Sequence, residues 1–153
     1  PVRGDVIMKT FKLSPGEEIG KIKKEIEAAI GKPFTLSQRF KMNGIGSSKL
    51  WITATSIEIH NLLILDKYNN VCNIEMRPNG IIIGFRSLLE SYGLIIPYWK
   101  LKIYKGKAEE YSLYCDKHFI KIRAKKGDKS THKFIKKVIN YKADHLPSQI
   151  DDL

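Results

Sequence analysis

The amino-acid sequence predicts an α+β domain: a curved, mostly antiparallel sheet or partly open barrel of about seven strands, with a C-terminal helix and an additional N-terminal helix. Three observations predict it. Apolar residues recur at helical spacing near each end, as Ile19, Ile22, Ile26 and Ile30 and again as Phe134, Ile135, Val138 and Ile139. Between them the pattern shifts to period two, in segments rich in Ile, Val, Thr and Tyr. The connections within that middle stretch are short, which favours antiparallel meanders over parallel crossovers.

The elements follow in order. Residues 1–13 read as a tail or edge segment. Residues 14–48 hold the first helix and a linker. Ser14 is placed to cap that helix with Glu17 completing a capping box, Pro15 sits where its missing N–H costs nothing, and Gly31 and Pro33 stop it. Phe34, Leu36, Gln38 and Phe40 alternate, which reads as a weak strand or an extended linker, and 42–48 carry the loop chemistry Asn43-Gly44 and Gly46-Ser47-Ser48.

The β domain spans 49–142. Strands are expected over Leu50 to His60, Leu62 to Tyr68, Val71 to Arg77 and Ile81 to Arg86, the last two joined by the turn Pro78-Asn79-Gly80. Ser87 to Gly93 reads as a loop or a single helical turn. Leu94 to Lys105 reads as one long strand, bent at Pro97. Glu109 to Cys115 and His118 to Lys125 read as a hairpin around Asp116-Lys117. A two-residue loop there sets Cys115 opposite His118, Leu113 opposite Ile120 and Tyr111 opposite Ile122 on one face. The other face then pairs Tyr114 with Phe119, Ser112 with Lys121 and Glu110 with Arg123. This register sorts apolar from polar pairs, which supports it. The final helix runs from about Thr131 to Tyr141, capped by Asp128 or Ser130, and 143–153 form a polar, frayed tail.

Seven short strands closed by an amphipathic helix, together with Gly80-Ile81-Ile82-Ile83 and Leu94-Ile95-Ile96-Pro97-Tyr98-Trp99-Lys100-Leu101, resemble the bacterial pleckstrin-homology-like and GRAM-type families over about Lys49 to Lys142. The resemblance implies a small barrel used as a binding or scaffolding module rather than as an enzyme. Lipid-binding members carry basic residues around the loop between their first two strands. Here that loop is His60-Asn61-Leu62, so the phosphoinositide role is not carried over. The additional N-terminal helix also lies outside the family pattern.

Composition narrows the function classes. The 153 residues suit a single domain that can bury a core without disulfides or metal. No apolar run approaches the roughly 20 residues that cross a bilayer, and Pro1 to Leu13 lack the apolar core of a secretory signal. A cytoplasmic location is the expectation, with Cys72 and Cys115 reduced and buried. The net charge of +11 would attract nucleic acid, anionic lipid headgroups or an acidic protein. It has a second reading. Lys far outnumbers Arg and Ile is as abundant as Lys, the mark of a compositional bias rather than of dedicated phosphate readers.

The charge is localised. Lys117 to Lys142 hold ten Lys or Arg and one acid, Asp128, so this stretch carries +9 (10 − 1) of the total. Lys121, Arg123 and Lys125 project from one face of the expected strand, and Lys133, Lys136 and Lys137 continue on the helix. Tyr98, Lys100, Lys102 and Tyr104 share a face of the preceding strand, with Tyr98 and Tyr104 as an aromatic rim. Basic residues interleaved with tyrosines can grip phosphates and stack bases. The same residues can equally be a solvated face that keeps a sheet edge soluble.

Other constellations are weaker. Gly44-Ile45-Gly46-Ser47-Ser48-Lys49 lacks Walker spacing and precedes a strand, so it reads as an ordinary loop. His60, His118, His132 and His145 show no metal spacing. Cys115 with His118 lacks an orienting third group, and Glu58, Glu75 and Glu90 form no acid–base pair. Trp51 and Trp99 read as core or rim. The expectation is a non-catalytic module without cofactor, metal or catalytic residues, binding another protein or itself. The alternative is a domain that binds nucleic acid or an anionic surface through its basic patch. An enzyme with an unrecognised site is the residual.

Overall fold

Along the residues that the computed structural model describes (7–11, 16–65, 70–88 and 90–145), two helices and an edge strand precede the main run of strands. The order is β1 (Ile7–Phe11), α1 (Gly16–Ile30), α2 (Leu36–Lys41), β2 (Leu50–Thr55), α3 (Ile57–Leu63), β3 (Val71–Arg77), β4 (Gly80–Ser87), β5 (Glu90–Pro97), β6 (Lys102–Lys105), β7 (Glu110–Cys115), β8 (His118–Arg123) and α4 (Lys129–His145). The eight strands form one antiparallel sheet in the order β1-β5-β4-β3-β2-β8-β7-β6. Seven of them fall within the expected β domain. The eighth, β1, lies within residues 1–13, read as a tail or edge segment, and pairs with β5 at one end of the sheet.

The sheet has to curve. From β5 to β6 there are six strand spacings, about 29 Å if flat. Only residues 98–101 join them, a reach of about 18 Å even when extended. The link is a tight turn, in which Lys100 N–H donates to Pro97 O at 3.0 Å and Leu101 N–H to the same oxygen at 3.1 Å. Its last residue, Leu101, is buried in the core.

Alternation then separates two packed layers. Ile81, Ile83, Leu94, Ile96, Leu113, Ile120 and Ile122 point to the inner face, where Phe134, Ile135 and Val138 of α4 meet them. Ile82 and Ile95 point the other way and meet Ile26, Ala29 and Ile30 of α1. Gly80 makes that second contact possible, because a Cβ there would lie 2.4 Å from Ile30 Cγ2 and 2.4 Å from Ile96 O.

The hairpin register of β7 and β8 agrees with the sequence reading at all six pairs, from Glu110↔Arg123 to Cys115↔His118. Four readings are corrected. The alternating segment after Phe34 is the helix α2, because Thr35 Oγ1 accepts from Gln38 N–H at 3.2 Å and Thr35 N–H donates to Gln38 Oε1 at 2.9 Å, a capping box. The strand from Leu50 stops at Thr55, and Ile57 to Leu63, taken as strand, are α3. Ser87 and residues 90–93, read as a loop or a helical turn, are paired strand of the β4–β5 hairpin, in which Leu88 takes a φ of +57° without turn-type residues to announce it. The long strand from Leu94 is cut at Pro97 into β5 and β6, which lie at distant places in the sheet. The expected cap at Ser14 and Pro15, the strand reading at 66–69 and most of the frayed tail (146–153) lie outside the described residues.

Candidate binding face

The outer face of β2, β8, β7 and β6 is built by simple alternation. Tyr111, Leu113, Cys115, His118, Ile120 and Ile122 point inward and are buried. The residues between them, Ser112, Tyr114, Phe119, Lys121 and Arg123, point outward. Register extends these into rows across the strands: Lys102 beside Tyr114 beside Phe119, Tyr104 beside Ser112 beside Lys121, and Glu110 beside Arg123 beside Trp51. The aromatic rings touch. Tyr104 and Tyr114 meet edge to face at 5.5 Å between centroids, and Tyr114 and Phe119 at 5.5 Å with a tilt of 30°.

Trp99, carried on the turn after β5, completes the edge of this face. Its ring is 70% exposed, and Lys100 Nζ lies 5.0 Å from the ring centroid. Lys100 also pairs with Asp116 Oδ2 at 2.9 Å, so its charge is partly answered within the chain. Trp99, Lys100, Lys102, Tyr104, Tyr114 and Asp116 enclose an open groove of about 640 Å³. Tyr104 is 56% exposed and Trp51, at the far end of the face, 41%.

The residues predicted from sequence divide. Lys102, Tyr104, Lys121 and Arg123 do share this face. Lys125 follows β8 and lines a separate groove with Trp51, Arg123 and Lys126. Lys133, Lys136 and Lys137 belong to a third groove on α4, beside Met42 and Tyr141. Lys137 Nζ donates to Asn43 O at 3.1 Å and Gly44 O at 3.0 Å, which ties α4 to the loop after α2. The single basic patch of the sequence reading is therefore spread over three places on different elements.

Tyr98 is not part of the rim. It is 2% exposed, donates to Arg77 O at 2.8 Å, and its phenol is pushed above the tyrosine range by burial first and by Tyr141 second. The turn at Pro97 breaks the alternation that had set Tyr98 beside Tyr104. Trp51, Tyr114 and Phe119 were not marked as a site. The signal was present, since Tyr114 and Phe119 form an aromatic pair on the face that otherwise sorts as polar.

Cys72 and Cys115 are buried, and burial pushes the Cys72 thiol up to about 12. His118 Nδ1 lies 3.5 Å from Ser56 Oγ and 3.7 Å from Glu58 Oε2. Both groups meet the same ring nitrogen, whereas a nucleophile and an orienting acid in a relay use opposite nitrogens. Ser56 Oγ also accepts from Phe119 N–H at 3.3 Å. Among the described residues no group of three or more His, Cys, Asp or Glu is placed to hold a metal ion, and no helix is long and apolar enough to cross a membrane. No protein-family model, curated protein or solved structure matches the chain.

Proposed function

We propose that this chain is a non-catalytic binding module on a pleckstrin-homology-like scaffold, and that it docks another protein or a second copy of itself on the outer face of β6, β7 and β8. The observation that carries the reading is the exposure of Trp99 and Tyr104 beside β6, the last strand of the sheet. Large aromatic rings held rigidly in water are the side chains that contribute most when a partner covers them. An edge strand adds unpaired N–H and C=O groups that a partner's backbone can satisfy. The scaffold assignment is supported by the strand order. Strands β2 to β8 make two meanders joined where the first strand pairs with the last, and α4 follows directly.

A second reading rests on the same face. Lys102, Lys121 and Arg123 alternate with Tyr104, Tyr114 and Phe119, the arrangement in which a single-stranded nucleic acid stacks its bases and neutralises its phosphates. Sedimentation across a concentration series tests the first reading in its self-association form, and recovery of bound proteins from wild type against Trp99→Ala/Tyr104→Ala tests it for other partners. Association lost in that variant and weakly dependent on salt supports protein docking. Binding to a single-stranded oligonucleotide that falls steeply with salt and with Lys121→Ala/Arg123→Ala supports the second. If wild type and both variants behave alike in every assay, this face is not the binding surface.

A further inference from the structure

The segment Gly44 to Lys49 has neither the spacing nor the following helix of a phosphate loop, yet the structure gives two of its residues a place in a groove. The segment is pinned to β3. Ser47 N–H donates to Ile74 O at 2.8 Å, Ile74 N–H donates to Ser47 Oγ at 2.8 Å, and Met76 N–H donates to Ile45 O at 2.7 Å. Lys49 follows the pinned hydroxyl and stands at the mouth of a groove of about 510 Å³ on β3, β4 and β5. Arg86 reaches the same groove from β4, Asn73 from β3 and Ser91 from β5.

The floor explains why a groove exists. Asn73 pairs with Gly84 and Gly84 with Gly93, so two neighbouring positions in one row across the sheet carry no side chain. A Cβ at Gly84 would sit 2.9 Å from Asn73 Oδ1, so glycine is what lets the amide lie over the strand. The lining contains two cations and no carboxylate. Among the described residues, the side chains of Lys49, Asn73 and Arg86 have no hydrogen-bond or ion-pair partner, while Ser47 is already engaged and serves to position Lys49.

The geometry points to a binding site for a small phosphorylated ligand, its phosphate held between Lys49 and Arg86 and its neutral polar part met by Asn73 and Ser91. A guanidinium fork takes two phosphate oxygens at once, and a lysine adds a second charge without fixed geometry. A phosphate monoester can come from a free metabolite or from a lipid headgroup, and both present the same group to these residues. The site is separate from the aromatic face, whose Lys121 and Arg123 do not line it.

Calorimetric titration of the full chain with inorganic pyrophosphate, in parallel with sedimentation of phosphatidylcholine vesicles with and without phosphatidic acid, tests this. Saturable binding of pyrophosphate assigns a soluble ligand, and binding only to vesicles containing phosphatidic acid assigns the headgroup. In either case Lys49→Ala/Arg86→Ala weakens binding by about tenfold or more. Gly84→Ala, which displaces the Asn73 amide, weakens it with little change in thermal unfolding, and Lys121→Ala/Arg123→Ala leaves it unchanged. Absence of binding to both probes, or binding that survives Lys49→Ala/Arg86→Ala, overturns the proposal.

Discussion

Over the middle of β4 and β5 the outward-facing Ile82 and Ile95 are covered by α1, beyond the groove that Arg86 and Ser91 line. Over β7 and β8 the outward-facing residues are Ser112, Tyr114, Phe119, Lys121 and Arg123; the last two stand in solvent and the aromatic pair is only half-buried. One sheet thus treats its outer surface in two ways. Where the chain supplies its own cover, the residues are aliphatic and the contact is closed by a glycine at position 80. Where none of the described residues covers it, the residues are aromatic and basic. Tyrosine and tryptophan tolerate water through their polar tips and still offer large apolar area to a partner. Isoleucine offers only the latter.

The largest effect is expected where the cover is stripped. Ile30 is fully buried between α1 and the strands. Ile30→Ala removes three methyl or methylene groups and leaves a cavity, which costs about 2–4 kcal/mol in urea unfolding. If the loss is near zero, α1 is not an integral layer and the two halves of the sheet do not differ as described.

The contrast between the halves was only partly legible in the sequence. The β7–β8 face could be read because a two-residue loop fixes register, and register fixes which side chains share a face. The covered half could not. The stripe of Ile26 and Ile30 announced that the first helix packs on something, but nothing local says that Ile82 and Ile95 are its partners. That pairing depends on β5 lying beside β1, a contact remote in sequence. The misread segments have different causes. Ile57 to Leu63 follow the N-cap Ser56, but their apolar, β-branched content extends the strand pattern before them and reads as strand. The Leu88 turn lacks turn-type residues, so Ser87 to Gly93 read as a loop or a helical turn rather than as paired strand. The proposed binding face was legible in part, through Lys102, Tyr104, Lys121 and Arg123, which share it, and blurred in part. The bend read at Pro97 is a turn that ends the strand, and carrying the alternation through it placed buried Tyr98 on this face.

Tyr98 sits at the crossing between the halves, and its variant has an intermediate effect. Tyr98→Phe keeps the ring in the core but removes the donor to Arg77 O, a loss of about 1 kcal/mol at neutral pH. The phenol's folded pKa is raised, chiefly by burial, so its linkage lies on the alkaline side. Stability is flat below the ordinary tyrosine pKa near 10 and falls as pH climbs above it, because the unfolded chain ionises while the folded one resists. Urea unfolding from neutral to strongly alkaline pH is expected to show a shallower decline for Tyr98→Phe than for wild type. An unchanged slope would show that the buried phenol is not what limits alkaline stability.

The smallest effect on stability, and the one that separates the two halves most sharply, belongs to Trp99 and Tyr104. Both rings stand mostly in water, so Trp99→Ala/Tyr104→Ala removes little that folding had buried, and unfolding shifts by no more than about 0.5 kcal/mol. The edge contact between Tyr104 and Tyr114 is the main internal loss. Such a result has meaning only beside Ile30→Ala. A pair of large rings whose removal costs the fold almost nothing, on the half of the sheet that the described residues leave open, is what the proposed docking face requires. A stability loss comparable to that of Ile30→Ala would instead make the aromatic face a second core, held in place for folding, and would leave the binding role without its support.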